Sequence, residues 1–434
     1  MDFSSIPERI CLQILRHLPI KDRVRISQVN QYFKHLSDSI LSETKVINLN
    51  NGPLSKMTPS YLEKLVNLCS KNLKVIKFHY SDGKRGFVPA FSAASCPSLA
   101  ELDLGQSRIG KNLFGRLVRN NANLETLIWH AVEKLDYPDG IVSEKLQKML
   151  LDNCDDSHFR SLAGHCPNLK DFAVRYVKVT SGRALDQFLA TCPKLEKLHL
   201  RDVTPINLEK MKHLWNLKKL RHLIIRVDSV PGKLDDDRVL VKVSKSLPLL
   251  EMLALPYLTL NSKAVKALTS LENLRNLKLG GNGSAAGIND GIREVAKRGL
   301  LQVAVFFDDV TSEVFATLLQ RCKNLSYLWI DGILNIDTPQ EAADFLRSAD
   351  IATTGELSIA IARYSSCNIW QTAAVEAALN EIKNEGGPDI TFYYGDGSED
   401  AHIVSPFDDP FPAGGFAPTF AEMFDLAFPF GMFC

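Results

Sequence analysis

The chain has 434 residues, of which 45% are apolar, and 51 Lys and Arg residues stand against 50 Asp and Glu. This composition excludes a wholly disordered chain, and the net charge of +1 argues against a nucleic-acid binder that relies on bulk charge. No run of 18 apolar residues is present, so we expect no membrane span. The nine scattered cysteines are typical of free thiols in a reducing compartment, and we therefore expect a cytoplasmic or nuclear protein.

Residues 1–45 are predicted to form a small helical domain. Pro7 favours a helix start, Pro19 favours its end, and Asp22 is expected to cap a second helix. About 40 residues bury two apolar stripes poorly alone, so the block either docks on the rest of the chain or offers an apolar face to a partner. The stripes are Ile10, Ile14, Leu15 and Leu18 in the first helix, and Val29, Phe33, Leu36 and Ile40 in the second.

This N-terminal stretch resembles an F-box. The resemblance rests on Pro7, Ile10, Ile14, Leu15, Leu18, Asp22 and Val29. The chain departs from the usual motif at Ile6, at Asn30, and at Phe33, which stands where Trp is common. The resemblance implies binding to a Skp-family adaptor and, through it, to a cullin–RING complex. It implies as adaptor-binding residues Ile6, Pro7, Ile10, Ile14, Leu15, Leu18, Val29 and Phe33.

Residues 46–394 contain an internal repeat of the form L-x-x-L-x-L. Successive units begin 22 to 30 residues apart, a regularity that random Leu-rich helices would not keep. Alternation within each unit predicts a short strand, and helix-period stretches lie between the strands. One strand and one helix cannot bury their own apolar faces, so the units must stack. The eleven units begin at Leu73, Leu99, Leu124, Leu146, Leu169, Leu195, Leu220, Leu250, Leu274, Leu300 and Leu325.

Several units carry a Cys-Pro-x-Leu signature, as at Cys96, Cys166 and Cys192, and resemble the cysteine-containing leucine-rich repeat. The expected fold class is α/β, a leucine-rich-repeat solenoid in the form of a horseshoe with parallel strands inside and helices outside. The small all-α F-box precedes it. Stretches 357–359 and 390–392 are expected to be degenerate last strands that cap the array.

The third, fifth and seventh positions of each unit should face the inside of the horseshoe, because strand side chains alternate between faces. These positions predict a basic patch suited to an acidic or phosphorylated protein segment, followed by an aromatic stretch suited to a protein interface. A solvated face without a partner remains the alternative for the patch. The predicted substrate-binding residues are Arg175, Lys197, His199, Arg201, His222 and Arg226, followed by Phe306, Tyr327 and Trp329.

Residues 395–434 are predicted to be a disordered tail rich in acids, Phe, Pro and Gly. Residues 384–434 hold nine acids and no Lys or Arg, so the preceding residues carry a charge of +10. The segment 420–428 has Phe and Met at helical spacing. The tail either folds back on the basic face or stays solvated, and the sequence leaves both alternatives open.

No catalytic, cofactor or metal site is predicted. The cysteines lack paired C-x-x-C spacing and are expected to be small buried hydrophobes, and Trp129 is expected in the core. The F-box resemblance implies a substrate-recognition subunit of an SCF-type ubiquitin ligase that is not itself an enzyme. Its partners would be the adaptor complex and an unidentified protein substrate, with no nucleic acid and no membrane. A non-degradative repeat scaffold is the alternative.

Overall fold

The computed structural model describes residues 6–49, 58–78, 95–105, 107, 111–130, 143–180, 182–203, 207–227, 237–256, 261–280, 288–353, 355–361 and 369–394. The chain divides into two compact units. The first unit comprises residues 1–179 and 183–195, and the second comprises residues 180–182 and 196–434. The tail predicted for 395–434, including the segment 420–428, lies outside the described residues.

The first unit begins with three short helices, α1 (Glu8–His17), α2 (Ile20–Ile26) and α3 (Gln31–Ser42). Pro19 separates α1 from α2 and is the N-cap residue of α2, so Asp22 lies in the first turn of α2 instead of capping it. Asn30 caps α3, its side chain accepting a hydrogen bond from the Phe33 backbone N at 2.9 Å. Val29 therefore lies in the turn before α3, outside the helical stripe predicted for it.

The three helices enclose a small core of their own. Its buried members are Cys11 and Leu15 from α1 and Leu36 and Ile40 from α3. The helical block also docks on the repeats, because α3 contacts α4, and Asn72 Nδ2 donates to Ser42 O at 2.9 Å. The block therefore packs on the repeats, as the first alternative predicted, and its own core holds the three helices together.

The strands of the first unit pair in parallel and in chain order, β1 through β6. They are β1 (Val46–Asn48), β2 (Val75–Lys77), β3 (Glu101–Asp103), β4 (Thr126–Trp129), β5 (Lys148–Asp152) and β6 (Asp171–Val177). The helices of the repeats in this unit are α4 (Pro59–Cys69), α5 (Lys111–Asn120), α6 (Asp156–Leu162) and α7 (Arg183–Ala190).

The second unit has the same plan, with parallel strands in chain order from β7 to β14. They are β7 (Lys197–Val203), β8 (His222–Val227), β9 (Met252–Pro256), β10 (Asn276–Gly280), β11 (Val303–Thr311), β12 (Tyr327–Leu334), β13 (Glu356–Ile361) and β14 (Asp389–Tyr394). Its helices are α8 (Asp237–Ser246), α9 (Ser262–Lys266), α10 (Asn289–Ala296), α11 (Ser312–Arg321), α12 (Pro339–Ser348) and α13 (Ala373–Asn384).

The leucine-rich-repeat prediction is thus confirmed, and the interior is built as the motif requires. Fourth- and sixth-position residues such as Leu198 and Leu200 are fully buried. Side chains link successive repeats: the exposed Asn123 donates from Nδ2 to Pro97 O at 2.7 Å, and the buried Cys192 donates from Sγ to Cys166 O at 3.8 Å. These bonds satisfy carbonyl groups at turns that no strand pairing reaches.

Three strands lie outside the eleven predicted units. The register of β1, β13 and β14 places Thr44, Glu356 and Asp389 where the other units have their first Leu. A search for Leu at that position therefore misses them as full units. The degenerate last strands predicted at 357–359 and 390–392 are confirmed as β13 and β14.

Candidate protein-binding surfaces

Three large apolar side chains of the helical block are exposed to solvent. Ile10 and Ile14 lie one turn apart on α1 and are 46% and 53% exposed, and Val29 in the turn before α3 is 67% exposed. Pro7, the N-cap residue of α1, is exposed as well. Four of the eight predicted adaptor-binding residues therefore present their side chains to solvent.

The other four predicted residues support the block from inside. Ile6, Leu18 and Phe33 are half-buried and pack against the core. Leu15 is only 2% exposed and belongs to the core itself. The assignment of Leu15 to the outer face is therefore corrected, because the helical rotation from Ile14 to Leu15 turns its side chain toward α3.

Arg23 fixes the geometry of this block. Its Nε donates to Leu18 O and its Nη2 to Arg16 O, both at 2.8 Å, which satisfies carbonyl groups at the end of α1. Ser37 Oγ donates to Arg23 O at 2.9 Å and so connects α2 with α3. Partial burial lowers the pKa of Arg23 from its usual value, an effect that the charge of Glu43 opposes. These hydrogen bonds thus fix the backbone of the helices that carry the exposed apolar side chains.

In the first unit, Arg175 does not act as an available cation. Its Nε donates to Asp152 Oδ1 at 3.0 Å and its Nη2 to Asp152 Oδ2 at 2.7 Å. His130 Nδ1 lies 2.9 Å from Asp152 Oδ2. The side chains of His130 and Asp152 are at most 5% exposed. The arginine predicted for the basic patch therefore neutralises a buried carboxylate.

A second buried carboxylate lies on β3 of the same unit. Asp103 is 1% exposed, and its Oδ1 accepts a hydrogen bond from Gly105 N at 2.8 Å. Burial raises the pKa of Asp103, and the bond from Gly105 and the nearby His130 act in the opposite direction. The strand face of the first unit is thus more acidic and more internally bonded than the sequence analysis predicted.

In the second unit, two of the predicted basic residues lie near carboxylates. Arg226 Nε lies 3.3 Å from Asp202 Oδ1, and both side chains are less than one-fifth exposed. Burial and the charge of Lys197 lower the pKa of His222, whose Nε2 lies 4.0 Å from Glu251 Oε2. His222 is therefore neutral near pH 7.

The imidazole rings of His199 and His222 stack at 6.3 Å between centroids, and His199 is 6% exposed. Lys197 and Arg201 are half-buried on β7. The predicted basic patch therefore holds less charge than six basic residues suggest. Arg175 also belongs to the first unit, whereas the other five residues belong to the second.

Two of the three residues of the predicted aromatic stretch lie at the strand positions that the repeat assigned to them, and binding of a substrate by them stays a prediction. Tyr327 and Trp329 occupy the predicted third and fifth positions of β12, paired in register with Val303 and Val305 of β11. Both aromatic residues are buried, at 5% and 3% exposed. Trp329 therefore lies on the face of the sheet opposite the interior residues Leu328 and Ile330.

The prediction for Phe306 is corrected. It pairs in register with Leu279 on one side and Ile330 on the other, which makes it a sixth-position residue that points to the interior, fully buried. Two consecutive leucines precede this strand, and the unit begins at Leu301 instead of Leu300. One residue of register reverses the face of every strand side chain.

The remaining predictions concern residues with no expected chemistry. The seven cysteines in the described ranges are all buried thiols that form no disulfide. Burial raises the pKa of Cys192 to about 12 and that of Cys322 to about 11, so these thiols are poor nucleophiles. Trp129 lies in the core as predicted, stacked on Phe114 with its Nε1 donating to Ser107 O at 2.8 Å.

Two features are absent from the part of the chain that the structure describes. No group of three His, Cys, Asp or Glu side chains there is arranged to hold a metal ion. None of the helices in those ranges combines the length and the apolar character that a bilayer span requires.

Sequence reasoning missed Tyr176. This residue is 51% exposed and has a φ of 55°, in the left-handed region that bulky side chains rarely occupy. Asn153 and Asp202 hold the same eighth position in the neighbouring units, with φ of 60° and 52°. Asn and Asp tolerate this conformation, so their recurrence at one position was a signal that the chain turns there.

Residues 3–44 match the family model described as F-box-like. The F-box resemblance is thereby confirmed. The chain is an F-box-like domain joined to a leucine-rich-repeat array. In the F-box-like domain, Ile10, Ile14 and Val29 are exposed.

One curated relative is a Caenorhabditis elegans protein named "Putative RNA-binding protein EEED8.10". It is 21% identical over an alignment of 340 residues, and the match covers 68% of this chain. The chain spans only 45% of the length of that relative. The similarity extends well beyond the F-box-like domain into the repeats.

Solved structures with similar folds include an internalin (inlF) from Listeria monocytogenes, at 12% identity and a TM-score of 0.45, covering 72% of this chain and 87% of that one. Another is the LRR ectodomain of the receptor kinase GASSHO1/SCHENGEN3 from Arabidopsis thaliana, at 16% identity and a TM-score of 0.40, covering 74% and 40%. The repeat assignment rests on the strand order and register of this chain, because both TM-scores are low.

Proposed function

We propose that the chain is the substrate-recognition subunit of an SCF-type ubiquitin ligase. The observation that supports this function is the exposure of the apolar side chains of Ile10, Ile14 and Val29 on a domain that matches the F-box-like family. Exposed large apolar side chains on a braced domain are typical of a surface that a partner covers. The partner proposed for this face is a Skp-family adaptor.

The repeats would hold the target protein. Each unit stacks on its neighbours, so the array offers an extended set of strand positions at a spacing of about 4.8 Å. The role of the chain is then positional, because holding a target near a charged ubiquitin-conjugating enzyme raises the local concentration of its lysines. Bond making and breaking would belong to the enzymes of the partner complex, and the site of action would be the cytoplasm or nucleus.

The adaptor contact is tested by co-purification of the full chain with a Skp-type adaptor. Ile14→Asp and Val29→Asp should each weaken binding by about 2 kcal/mol or more, because a carboxylate would be buried in an apolar contact. Gln13→Asp is the matched control, since Gln13 is exposed on the same helix next to Ile14 and should retain binding. Unchanged circular dichroism for all three variants would exclude misfolding.

If the wild-type chain binds no Skp-type adaptor, the ligase proposal fails. If it binds the adaptor but no bound protein accumulates under proteasome inhibition, the non-degradative scaffold takes its place. Both readings assign the repeats to protein binding, so the two outcomes separate degradation from scaffolding.

RNA binding, which the name of the Caenorhabditis relative states, is not part of the function proposed for this chain. The chain spans 45% of that protein, and two of the cations predicted on the strand faces are engaged with carboxylates. Those pairs are Arg175 with Asp152 and Arg226 with Asp202. Phosphate contacts draw their affinity from cations that release counterions, and a cation already neutralised supplies little of it.

A further inference from the structure

The turns that lead into strands β8 to β12 form one edge of the second unit, and this edge is basic. Residues 217–221, 245–251, 271–275, 297–302 and 320–326 contain nine Lys or Arg and two Glu. We call these five segments the basic turn edge. The strand face beside it offers little open surface, since Ile224, Met252 and Trp329 are at most 7% exposed.

The five segments of the basic turn edge contact one another from each repeat to the next. Lys218 Nζ, for example, donates to Ser246 O at 2.9 Å. Because neighbouring strands are about 4.8 Å apart, the five turns extend over about 19 Å. The contacts that join them are Lys218 with Ser246, Asn273 with Pro248, Arg275 with Gln302, and Gly299 with Arg321.

Five cations of the basic turn edge are exposed and have no carboxylate partner among the described residues. Two other cations are already paired: Arg221 with Glu251, and Lys297 with Glu294 on α10. The five cations that an anion can reach are Lys219, Lys245, Arg298, Arg321 and Lys323.

Helix dipoles account for only part of this pattern. Lys245 and Arg321 lie in the last turns of α8 and α11, where a cation is favourable. Lys219 and Lys323 lie in turns beyond any helical residue, and the dipole effect falls off within the last turn of a helix. The dipoles therefore do not explain why these turns carry many cations and few acids.

One exposed apolar side chain lies among the cations. Leu249 is 41% exposed and directly precedes the first Leu of its unit. The same position is Lys219 in the preceding unit and Asn273 in the following one. An occupant of the basic turn edge should accordingly combine several acids with an apolar side chain.

An acidic protein segment fits this edge better than a nucleic acid does. Proteins that bind single-stranded nucleic acids stack the bases on aromatic side chains, and the five segments contain no Phe, Tyr, Trp or His. The net charge of +1 for the whole chain also gives little long-range attraction for a polyanion. About six residues of extended protein chain match the length of the edge.

The acidic residues 395–434 of the chain itself are the rival occupant. They follow the C-terminal end of β14, and all strands of the unit run parallel. The basic turn edge lies at the N-terminal ends of the strands, so these residues start from the opposite edge of the sheet. A separate protein segment can approach the turns directly.

We propose that the basic turn edge binds an acidic segment of the target protein, with an apolar side chain of that segment against Leu249. The acids of the segment would lie against Lys219, Lys245, Arg298, Arg321 and Lys323. The identity of this partner as a ubiquitination target rests on the proposed function, whereas binding of an acidic segment by the turns stands or falls by itself.

Fluorescence anisotropy of the full chain tests the contact, with a labelled eight-residue peptide of Glu and Asp that has one central Leu as the probe. Arg298→Glu combined with Arg321→Glu should raise the Kd by about tenfold or more, because like charges then face each other. Lys212→Glu combined with Lys263→Glu is the matched control. Both lysines are exposed and lie outside the five segments, so the same change of charge there should leave the Kd unaltered.

A second variant tests the apolar contact. Leu249→Ser should raise the Kd of the Leu-containing peptide by about threefold, because part of an aliphatic contact is lost. It should leave the Kd of an all-acidic peptide of the same length unchanged. Circular dichroism of each variant should match that of the wild type.

The proposal is overturned if the double variant at Arg298 and Arg321 binds the peptide as tightly as the wild type, or if the control variant loses as much affinity. Tighter binding of a labelled oligouridylate of equal charge would assign the edge to nucleic acid instead. Carbodiimide cross-links from acids of residues 395–434 to Lys219, Lys245 or Lys323 would assign it to the chain's own acids.

The adaptor contact is measured on the same proteins. The double variant at Arg298 and Arg321 should still capture a Skp-type adaptor, and Ile14→Asp should still bind the peptide. Failure of the turn-edge proposal is thereby distinguished from failure of the ligase proposal.

Discussion

Arg175 holds Asp152 in a two-point hydrogen bond, with Nε at 3.0 Å from Oδ1 and Nη2 at 2.7 Å from Oδ2. Both ends of the carboxylate are thereby satisfied, and the His130 ring lies against the same group. The two side chains come from adjacent strands at equivalent positions, 23 residues apart in sequence. The pair therefore stabilises this part of the first unit, and neither side chain has its charge available for a ligand.

Arg175→Gln should therefore destabilise the first unit. It leaves Asp152, whose side chain is 5% exposed, as a buried carboxylate without its cation, at a cost of about 3 kcal/mol. Urea unfolding monitored by circular dichroism measures the change. The double variant with Asp152→Asn should recover part of the loss, and a loss of equal size in the double variant would contradict the pairing.

Tyr176→Asn should raise stability. Tyr176 is held at a φ of 55°, where a bulky residue costs roughly 1 kcal/mol more than Asn does, and it is 51% exposed. Differential scanning calorimetry should show a higher transition temperature. The control is Asn153→Tyr at the equivalent position, which should lower it; a lower temperature for Tyr176→Asn would mean that the ring stabilises the fold.

Gly291→Ala and Gly355→Ala should behave differently. A Cβ at Gly291 would lie 2.5 Å from Ser262 O and 2.7 Å from Val265 Cβ, so α10 and α9 would have to separate. Overpacking of this kind costs about 1–3 kcal/mol. A Cβ at Gly355 meets nothing within 4 Å, and the alanine there should be neutral or slightly stabilising. Thermal unfolding of both variants beside the wild type measures the contrast, and equal effects would contradict the close approach of the two helices.

Asp155 is the N-cap residue of α6, and its side chain accepts hydrogen bonds from the backbone N of Ser157 and His158. It should make this helix sensitive to acid. Burial acts to raise its pKa, but hydrogen bonds from Ser157 and the contact with His158 outweigh burial and lower the pKa to about 2. Because the folded pKa lies below the unfolded value of about 3.9, the stabilisation is present above about pH 4 and is lost as pH falls toward 2.

Asp155→Asn provides the comparison for this titration, because Asn caps a helix equally well and carries no titrating charge. Acid unfolding of the variant should depend less on pH between about 4 and 2 than that of the wild type. Identical acid profiles for the two proteins would show that Asp155 contributes nothing to the pH dependence.

The sequence by itself determined the repeat, the helical block and most of the core. A Leu at a fixed spacing can be buried only if neighbouring units stack, so the period of the motif dictates parallel strands in chain order. The stripe through Ile10 and Ile14 likewise dictated one apolar helix face. Strands β1, β13 and β14 have a polar residue instead of Leu at the first position of the motif. They still join the sheet because the adjacent strand supplies the hydrogen-bonded pairing.

Only the tertiary structure decided which face of the sheet some side chains occupy and which cations are neutralised by carboxylates. The pairing of β11 with its neighbouring strands sets Leu301, and not Leu300, as the start of the unit. Phe306 therefore points to the interior. Arg175 and Arg226 are cations in sequence, yet Asp152 and Asp202 neutralise them. Sequence period fixes which residues alternate, whereas register and the approach of side chains from other strands decide where each one points and what it bonds.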